Sequence, residues 1–290
     1  MEASKLKTAS VDYVDQFERD GYLLLRGLIE PSFFAGLLGR VEAAVDQRAR
    51  QLYEEGEITD LHEREPLMYR WQKIFQDMGN FQKRRSWDED VISQELFDMM
   101  RHPALLDVVE ALVGPEIQAT GAIALRPKVP NDKRTTVLWH QDSHYFGPDT
   151  AKQRLISVWI PLVDTDEKNG CMQVIPKSHS WGYVEAEMDP DHQSYRPLQD
   201  PTERGDPFSC EMKVGDVLMF GNLTLHRSLS NTSDHTRWSI DVRYHAEGID
   251  FKRAASFIPG FLARSRRSPA DVDTWESWNQ RYQKSGIHTE

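Results

Sequence analysis

From about residue 116 to residue 246 the chain is cut into short apolar runs separated by turn residues. The runs are IQATGAIAL, TVLWHQD, LISVWIPLV, GCMQVIP, GDVLMFG and RWSIDVRYH. In LISVWIPLV, Ile156, Val158, Ile160 and Leu162 alternate with Leu155, Ser157, Trp159 and Pro161. That two-residue period is the pattern of a strand with both faces covered. Lys168-Asn169-Gly170 supplies a tight turn signal. Many short strands of this kind predict a mainly β fold, a sandwich or double-sheet jelly roll.

The flanking zones read differently. Residues 11–114 are expected to be a mainly helical N-terminal part. Pro31 suits a first helical turn, and Phe34, Leu37, Leu38, Val41 and Val45 follow the three-four spacing of an amphipathic helix. Leu105 to Val113 reads as another helix, stopped by Gly114-Pro115. Residues 247–290 form an irregular or helical extension, with Trp275 and Trp278 as packing anchors. The Pro- and Asp-rich stretch 189–207 reads as a long loop, of the kind that often serves as a lid or binding element. The reading is one domain, 1–290, around a β core at 116–246.

Composition narrows the function. A formal net charge of -11 argues against a nucleic-acid binder, which needs a dense basic patch. No run of about 18 apolar residues suggests a membrane span. MEASKLKTAS lacks the apolar stretch of a secretory signal. Two cysteines, Cys171 and Cys210, sit outside any CxxC pair and read as small buried side chains. A cytoplasmic location follows as the expectation.

The chemistry is concentrated in WHQDSHYFG. On a strand, His140 and Asp142, two apart, point to the same face. His226, in GNLTLHRSLSN, can complete a two-His, one-carboxylate set. Such a set suits non-haem Fe(II) and leaves positions open for chemistry. Taken singly, each histidine reads first as a satisfied strand histidine. Arg237 lies 11 residues beyond His226, and a guanidinium can hold a carboxylate by two parallel hydrogen bonds. A surface ion pair with Asp234 or Asp241 is the alternative. Ser228 should share the side of His226 and could support the same carboxylate.

These residues, with their context, resemble the phytanoyl-CoA hydroxylase-type (PhyH-like) family of Fe(II)/2-oxoglutarate-dependent dioxygenases. The matching segments are DGYLLLRGLIEP at 20–31, WQKI at 71–74, HQDSHYFG at 140–147, VWIPLVD at 158–164, NGCMQVIPKSHS at 169–180, VGDVLMFGNLTLHRSLSN at 214–231 and RWSIDVRYH at 237–245. They occur in order, which is more specific than any one motif. The resemblance implies a double-stranded β-helix (jelly roll, cupin-like) with helices packed outside. It implies iron held by His140, Asp142 and His226, and 2-oxoglutarate bound by Arg237 and Ser228. It also implies a lysine contact to 2-oxoglutarate from an earlier segment, at Lys73; a solvated helix lysine is an equal reading of that residue. Lys177 departs from the family pattern, which has Gly after the Pro.

The activity so implied is oxidation, by default hydroxylation, of an unactivated C–H bond in a small-molecule metabolite. Dioxygen is consumed, and 2-oxoglutarate becomes succinate and CO2. Desaturation or ring formation depends on substrate placement. His144 reads as supporting or substrate-facing, while Gln141 and Ser143 should face away. Trp139 and Trp159 suit core or pocket. Arg126, Lys128, Lys133 and Arg134 read as a solvated loop, and His235 and His245 as ordinary. Three rivals stand beside this reading. A jelly-roll binding protein has no need of the triad and Arg237. A zinc hydrolase gains nothing from a keto-acid clamp. A halogenase lacks the carboxylate that Asp142 provides.

Overall fold

The computed structural model describes residues 12–79, 86–249 and 258–285. The leader reading of residues 1–10 and the stretch 250–257 of the C-terminal extension lie outside them. No helix among the described residues is long and apolar enough to cross a membrane.

The N-terminal part builds one wall of the core. Residues 12–20 form a helix, α1. Pro31 opens a single 3-10 turn, and α2 (Ala35–Glu54) follows it. The three-four spacing buries Leu37, Val41, Ala44, Val45 and Leu52. Helices α3 (Leu67–Asp77), α4 (Gln94–Met100) and α5 (Pro103–Val113) follow. Ser93 caps α4 by accepting from the Leu96 amide at 3.3 Å. Gly114, at φ 97°, ends α5 where the sequence predicts. One element in this zone departs from the helical reading. The run YLLL forms a strand, β1 (Tyr22–Leu25), which pairs along its length with residues 217–220. Four apolar residues carry no period that separates helix from strand.

The β core comprises β2 (Ile117–Ala119), β3 (Ala124–Lys128), β4 (Leu155–Pro161), β5 (Met172–Val174), β6 (Ala186–Asp189), β7 (Ser194–Pro197), β8 (Phe208–Cys210), β9 (Val217–Gly221), β10 (His226–Ser228) and β11 (Arg237–Ala246). β12 (Phe261–Arg264) and helix α7 (Trp275–Lys284) complete the described chain, after a four-residue α6 (Ser143–Phe146) before β4. The large sheet runs β1-β9-β4-β11-β2-β12, with β3 also on β11. The small sheet is β10-β5-β8, and β6 and β7 form a separate hairpin. All pairings are antiparallel, and the fold is a double-stranded β-helix, the jelly roll.

Alternation divides the large sheet. Ile156, Val158 and Ile160 of β4, and Trp238, Ile240, Val242 and Tyr244 of β11, join the helical core. Trp159 of β4 and Leu218 and Phe220 of β9 point the other way and meet Met172 and Val174 of the small sheet. The space between the sheets therefore belongs to every second residue of each strand. Tyr244 anchors the helical side by donating to the Met100 carbonyl at 2.8 Å.

Three further segments differ from their sequence readings. TVLWHQD is no strand: only His140 makes a β-bridge, and Asp142 already has helical backbone angles. Part of 189–207 is the hairpin strand β7. The tail contributes β12 to the sheet edge and then α7, whose Trp278 is buried against Phe97 and Phe261. Lys177 adopts φ 67°, the left-handed conformation in which glycine is at ease.

Candidate active site

His140 and His226 are brought together by backbone pairing. Each amide donates to the other's carbonyl at 3.0 Å, and the ring centroids lie 4.1 Å apart. The Nδ1 of His140 donates to the Leu138 carbonyl at 2.8 Å, and that of His226 to the Thr224 carbonyl at 2.9 Å. Both Nε2 lone pairs are thereby turned inward. Burial, then the neighbouring His226, pushes His140 well below the ordinary histidine value, and burial lowers His226 as well. Neutral imidazoles keep the lone pairs that a metal needs.

Asp142 completes the cluster from the N-cap position of α6. Its Oδ1 lies 3.8 Å from His140 Nε2 and 3.7 Å from His226 Nε2. The three ligand atoms fall within 4.8 Å of one another, and all three residues are buried. The convergence of His140 and Asp142 comes from the chain turning into α6, rather than from strand alternation. The other oxygen, Oδ2, accepts from the Ser157 hydroxyl and from Arg243 Nε at 3.1 Å. Burial opposes the charge, yet Arg243, the two imidazoles and Ser157 hold the carboxyl far below the usual carboxylate range.

Ser157 and Arg243 went unmarked as site residues. They are paired across β4 and β11, in the register that also sets Asp241 opposite Trp159. In RWSIDVRYH, Arg237, Ser239, Asp241 and Arg243 occupy alternate positions, and Arg237, Asp241 and Arg243 all line one cavity. That alternation was the available signal. Asp241 accepts from Arg243 Nη1 at 2.8 Å and from Arg126 Nε at 2.5 Å. A chain of alternating charges thus runs from Asp142 to the cavity wall.

The cavity measures about 780 Å³ and is lined by the three clustered residues together with Arg237, Ser228, Trp159 and Phe220, among others. Arg237 is 1% exposed. Its Nη1 donates to the Ser239 hydroxyl and its Nη2 to the Gly170 carbonyl at 3.1 Å. Among the described residues its Nε has no partner, and no carboxylate pairs with it. Asp234 pairs with His235, and Asp241 with Arg126 and Arg243, so the surface ion pair allowed for Arg237 is absent. Burial, then the nearby Arg126 charge, pushes the guanidinium down to about 9. Gly170 is tightly placed: at φ +88°, a Cβ there would meet Lys128 Cδ at 2.5 Å and the Leu229 carbonyl at 2.6 Å. Ser228 accepts from the Val137 amide at 3.2 Å and faces the same cavity as His226.

Lys73 stands apart. It lies on α3, is 43% exposed, and donates to Glu65 at 2.5 Å. It is not among the residues that line the cavity.

Other sequence readings resolve simply. His144 accepts from the Gln141 amide at 3.1 Å and donates to the Val184 carbonyl at 2.8 Å, so it braces the loop beside the cluster. Gln141 donates to the Gly182 and Leu223 carbonyls, and Ser143 bonds Asn222; both turn away. Trp159 lines the cavity, while Trp139 packs with Ile175 and Leu225. Arg126 and Lys128 correct the solvated-loop reading. They belong to β3, and Lys128, 2% exposed, donates to the Thr135 carbonyl at 2.6 Å. Lys133 and Arg134 do sit in a short turn, with Arg134 on Asp132 at 2.8 Å. His235 bonds its neighbour Asp234, and His245 the Ala246 carbonyl. Cys171 and Cys210 are buried free thiols.

Comparison with known proteins bears on the family and the fold. The family model described as Phytanoyl-CoA dioxygenase (PhyH) matches residues 17–239. An ectoine dioxygenase from Bordetella parapertussis is 25% identical over 253 residues, covering 82% of this chain and 75% of that protein. The peroxisomal phytanoyl-CoA dioxygenase of Bos taurus is 27% identical over 168 residues, covering 56% of this chain and 48% of that protein. Among solved structures, the apo non-heme monooxygenase ThoJ aligns with a TM-score of 0.61 at 19% identity, over 94% of this chain and 98% of that one. The epimerase SnoN, in complex with Fe3+, alpha ketoglutarate and nogalamycin RO, aligns with a TM-score of 0.54 at 17% identity, over 88% and 86%. At such identities the structural likeness speaks to the fold.

Proposed function

Because the chain belongs to the phytanoyl-CoA dioxygenase family, we propose that this Fe(II)/2-oxoglutarate-dependent dioxygenase hydroxylates an unactivated C–H bond of a small-molecule metabolite. 2-Oxoglutarate leaves as succinate and CO2. The observation that carries the reading is a juxtaposition. Two neutral imidazoles and one carboxylate oxygen converge in a cavity that also holds a buried guanidinium without a carboxylate partner among the described residues. The donor set fits divalent iron: two nitrogens, one oxygen, no thiolate, and an open side toward the cavity.

In this reading His140 Nε2, His226 Nε2 and Asp142 Oδ1 are the iron ligands. Bound iron, with 2-oxoglutarate and dioxygen, supplies the oxidising power for C–H cleavage. The chain's own contribution is orientation and exclusion of water. Leu138 and Thr224 fix the tautomer of each imidazole. Ser157 and Arg243 occupy Asp142 Oδ2 and leave one oxygen for the metal. Arg237 pairs with the distal carboxylate of 2-oxoglutarate, Ser228 lies beside it, and Trp159 covers it at 5.3 Å from the guanidinium carbon. Lys73 has no part in this assignment. The names of the relatives, an ectoine dioxygenase and phytanoyl-CoA dioxygenases, support a small-molecule substrate.

The test is succinate release across a metabolite panel, with mass spectrometry of products in chloride-containing buffer. An added oxygen atom in one product, absent for Asp142→Ala, is the expected result. A chlorinated product, or full hydroxylation by Asp142→Ala, would contradict the assignment of Asp142 as a ligand.

A further inference from the structure

The β6–β7 hairpin reaches the cavity with its tip, where His192, Gln193 and Ser194 form part of the lining. It is seated on the metal side through Tyr145. That ring packs edge-on against His140 at 5.4 Å and against Tyr195 at 5.1 Å, and its hydroxyl accepts from the Tyr195 amide at 3.4 Å. Ser194 is 5% exposed, and its Oγ has no partner among the described residues. A hydroxyl kept dry and unpaired is destabilising, so its place on a cavity wall calls for a ligand group.

His192 stands two residues away on the same tip. Its backbone amide and its Nδ1 both donate to Asp189 Oδ1, at 2.9 and 3.0 Å. With Nδ1 donating, the neutral form of the ring presents Nε2 as an acceptor, which has no partner among the described residues. Arg196 lies 3.6 Å from Asp189 and bonds Glu187 more closely, at 2.7 Å. The same cavity is also lined by Trp71, Phe75 and Phe146.

We propose that His192 and Ser194 form the substrate's polar anchor and select a hydroxyl-bearing apolar molecule. The substrate hydroxyl donates to His192 Nε2 and accepts from the Ser194 hydroxyl, while the carbon skeleton lies against the aromatic wall and extends toward the metal cluster. A carboxylate would set lone pair against lone pair at Nε2. The inference rests on reading this cavity as the oxygenase active site.

Four rigid probes separate the alternatives: 1-adamantanol, 1-methoxyadamantane, 1-adamantanamine and 1-adamantanecarboxylate. Each is titrated into the full-length protein and followed by tryptophan fluorescence, first without metal, then with Fe(II) and 2-oxoglutarate under anaerobic conditions. The alcohol should bind roughly tenfold tighter than its methyl ether, as expected for one good hydrogen bond lost. Ser194→Ala and His192→Phe should each bring the pair to within about twofold, while ether binding holds. His192→Asn and Ser194→Thr guard against a misfolded first variant; Ser194→Thr should retain the preference. Equal binding of alcohol and ether by the wild type, a preference for amine or carboxylate, or an undiminished alcohol preference in both Ser194→Ala and His192→Phe would overturn the anchor. Failure of Fe(II) and 2-oxoglutarate to give a visible band, with the alcohol preference intact, sinks the oxygenase reading instead.

Discussion

Asp142 and Arg237 are both buried charges on the wall of one cavity, yet their surroundings are opposite in kind. Asp142 is surrounded by compensation: Arg243 and Ser157 on one oxygen, two imidazoles before the other. Arg237 has only a hydroxyl and a carbonyl, and no carboxylate among the described residues. A buried ion with its partner already in place is structural as it stands. A buried ion without one is costly until something negative arrives. On the proposed reading, the two ends of the cavity suit ligands of opposite charge: a cation before Asp142 Oδ1, an anion before Arg237.

Breaking the metal end should have the largest effect. On the proposed assignment His226→Ala removes one of three iron ligands, so iron-dependent succinate release should fall to background, with Fe(II) binding by calorimetry lost in parallel. Next in size is Arg237→Met. It should weaken 2-oxoglutarate by roughly 2–5 kcal/mol, the cost of truncating a buried charge pair. Without ligand the same variant should melt at or above the wild-type temperature, because it deletes an uncompensated buried charge. A lower melting point would mean that Arg237 is already paired in the free protein. Arg243→Met gives the contrasting case. It leaves Asp142 and Asp241 each short of a partner, so it should lower the melting temperature and weaken metal binding roughly 10–100-fold. The smallest effect belongs to Lys73→Ala. An exposed pair with Glu65 is worth about 0–1 kcal/mol, so 2-oxoglutarate affinity should barely move.

Part of the candidate site was legible from residue types and spacing. HxD followed by a distant histidine marked the cluster, and Arg237 lay one predicted strand beyond His226. Ser157 and Arg243 were illegible because their role depends on the register of β4 against β11, which no spacing reveals. The alternation in RWSIDVRYH marked a face, but not what that face looks upon. Lys73 shows the converse: a motif position matched, while the rotation of α3 turned the side chain to Glu65 and solvent. The β core at 116–246 was readable from its period, whereas β1, β7 and β12 were missed. Each is four residues long and gains its stability from a neighbouring strand rather than from its own pattern.

The central claim is that one cavity holds a cation and a dicarboxylate at once, each at its own end. It is tested most directly by anaerobic titration of the Fe(II)-loaded protein with 2-oxoglutarate, following visible absorbance and melting temperature together. Wild type should develop a weak charge-transfer band that saturates at one 2-oxoglutarate per chain, with a rise in melting temperature that tracks saturation. Arg237→Met should require far more 2-oxoglutarate for the same band, and His226→Ala should give none. A band of undiminished affinity in Arg237→Met, or none in the wild type, would contradict the account.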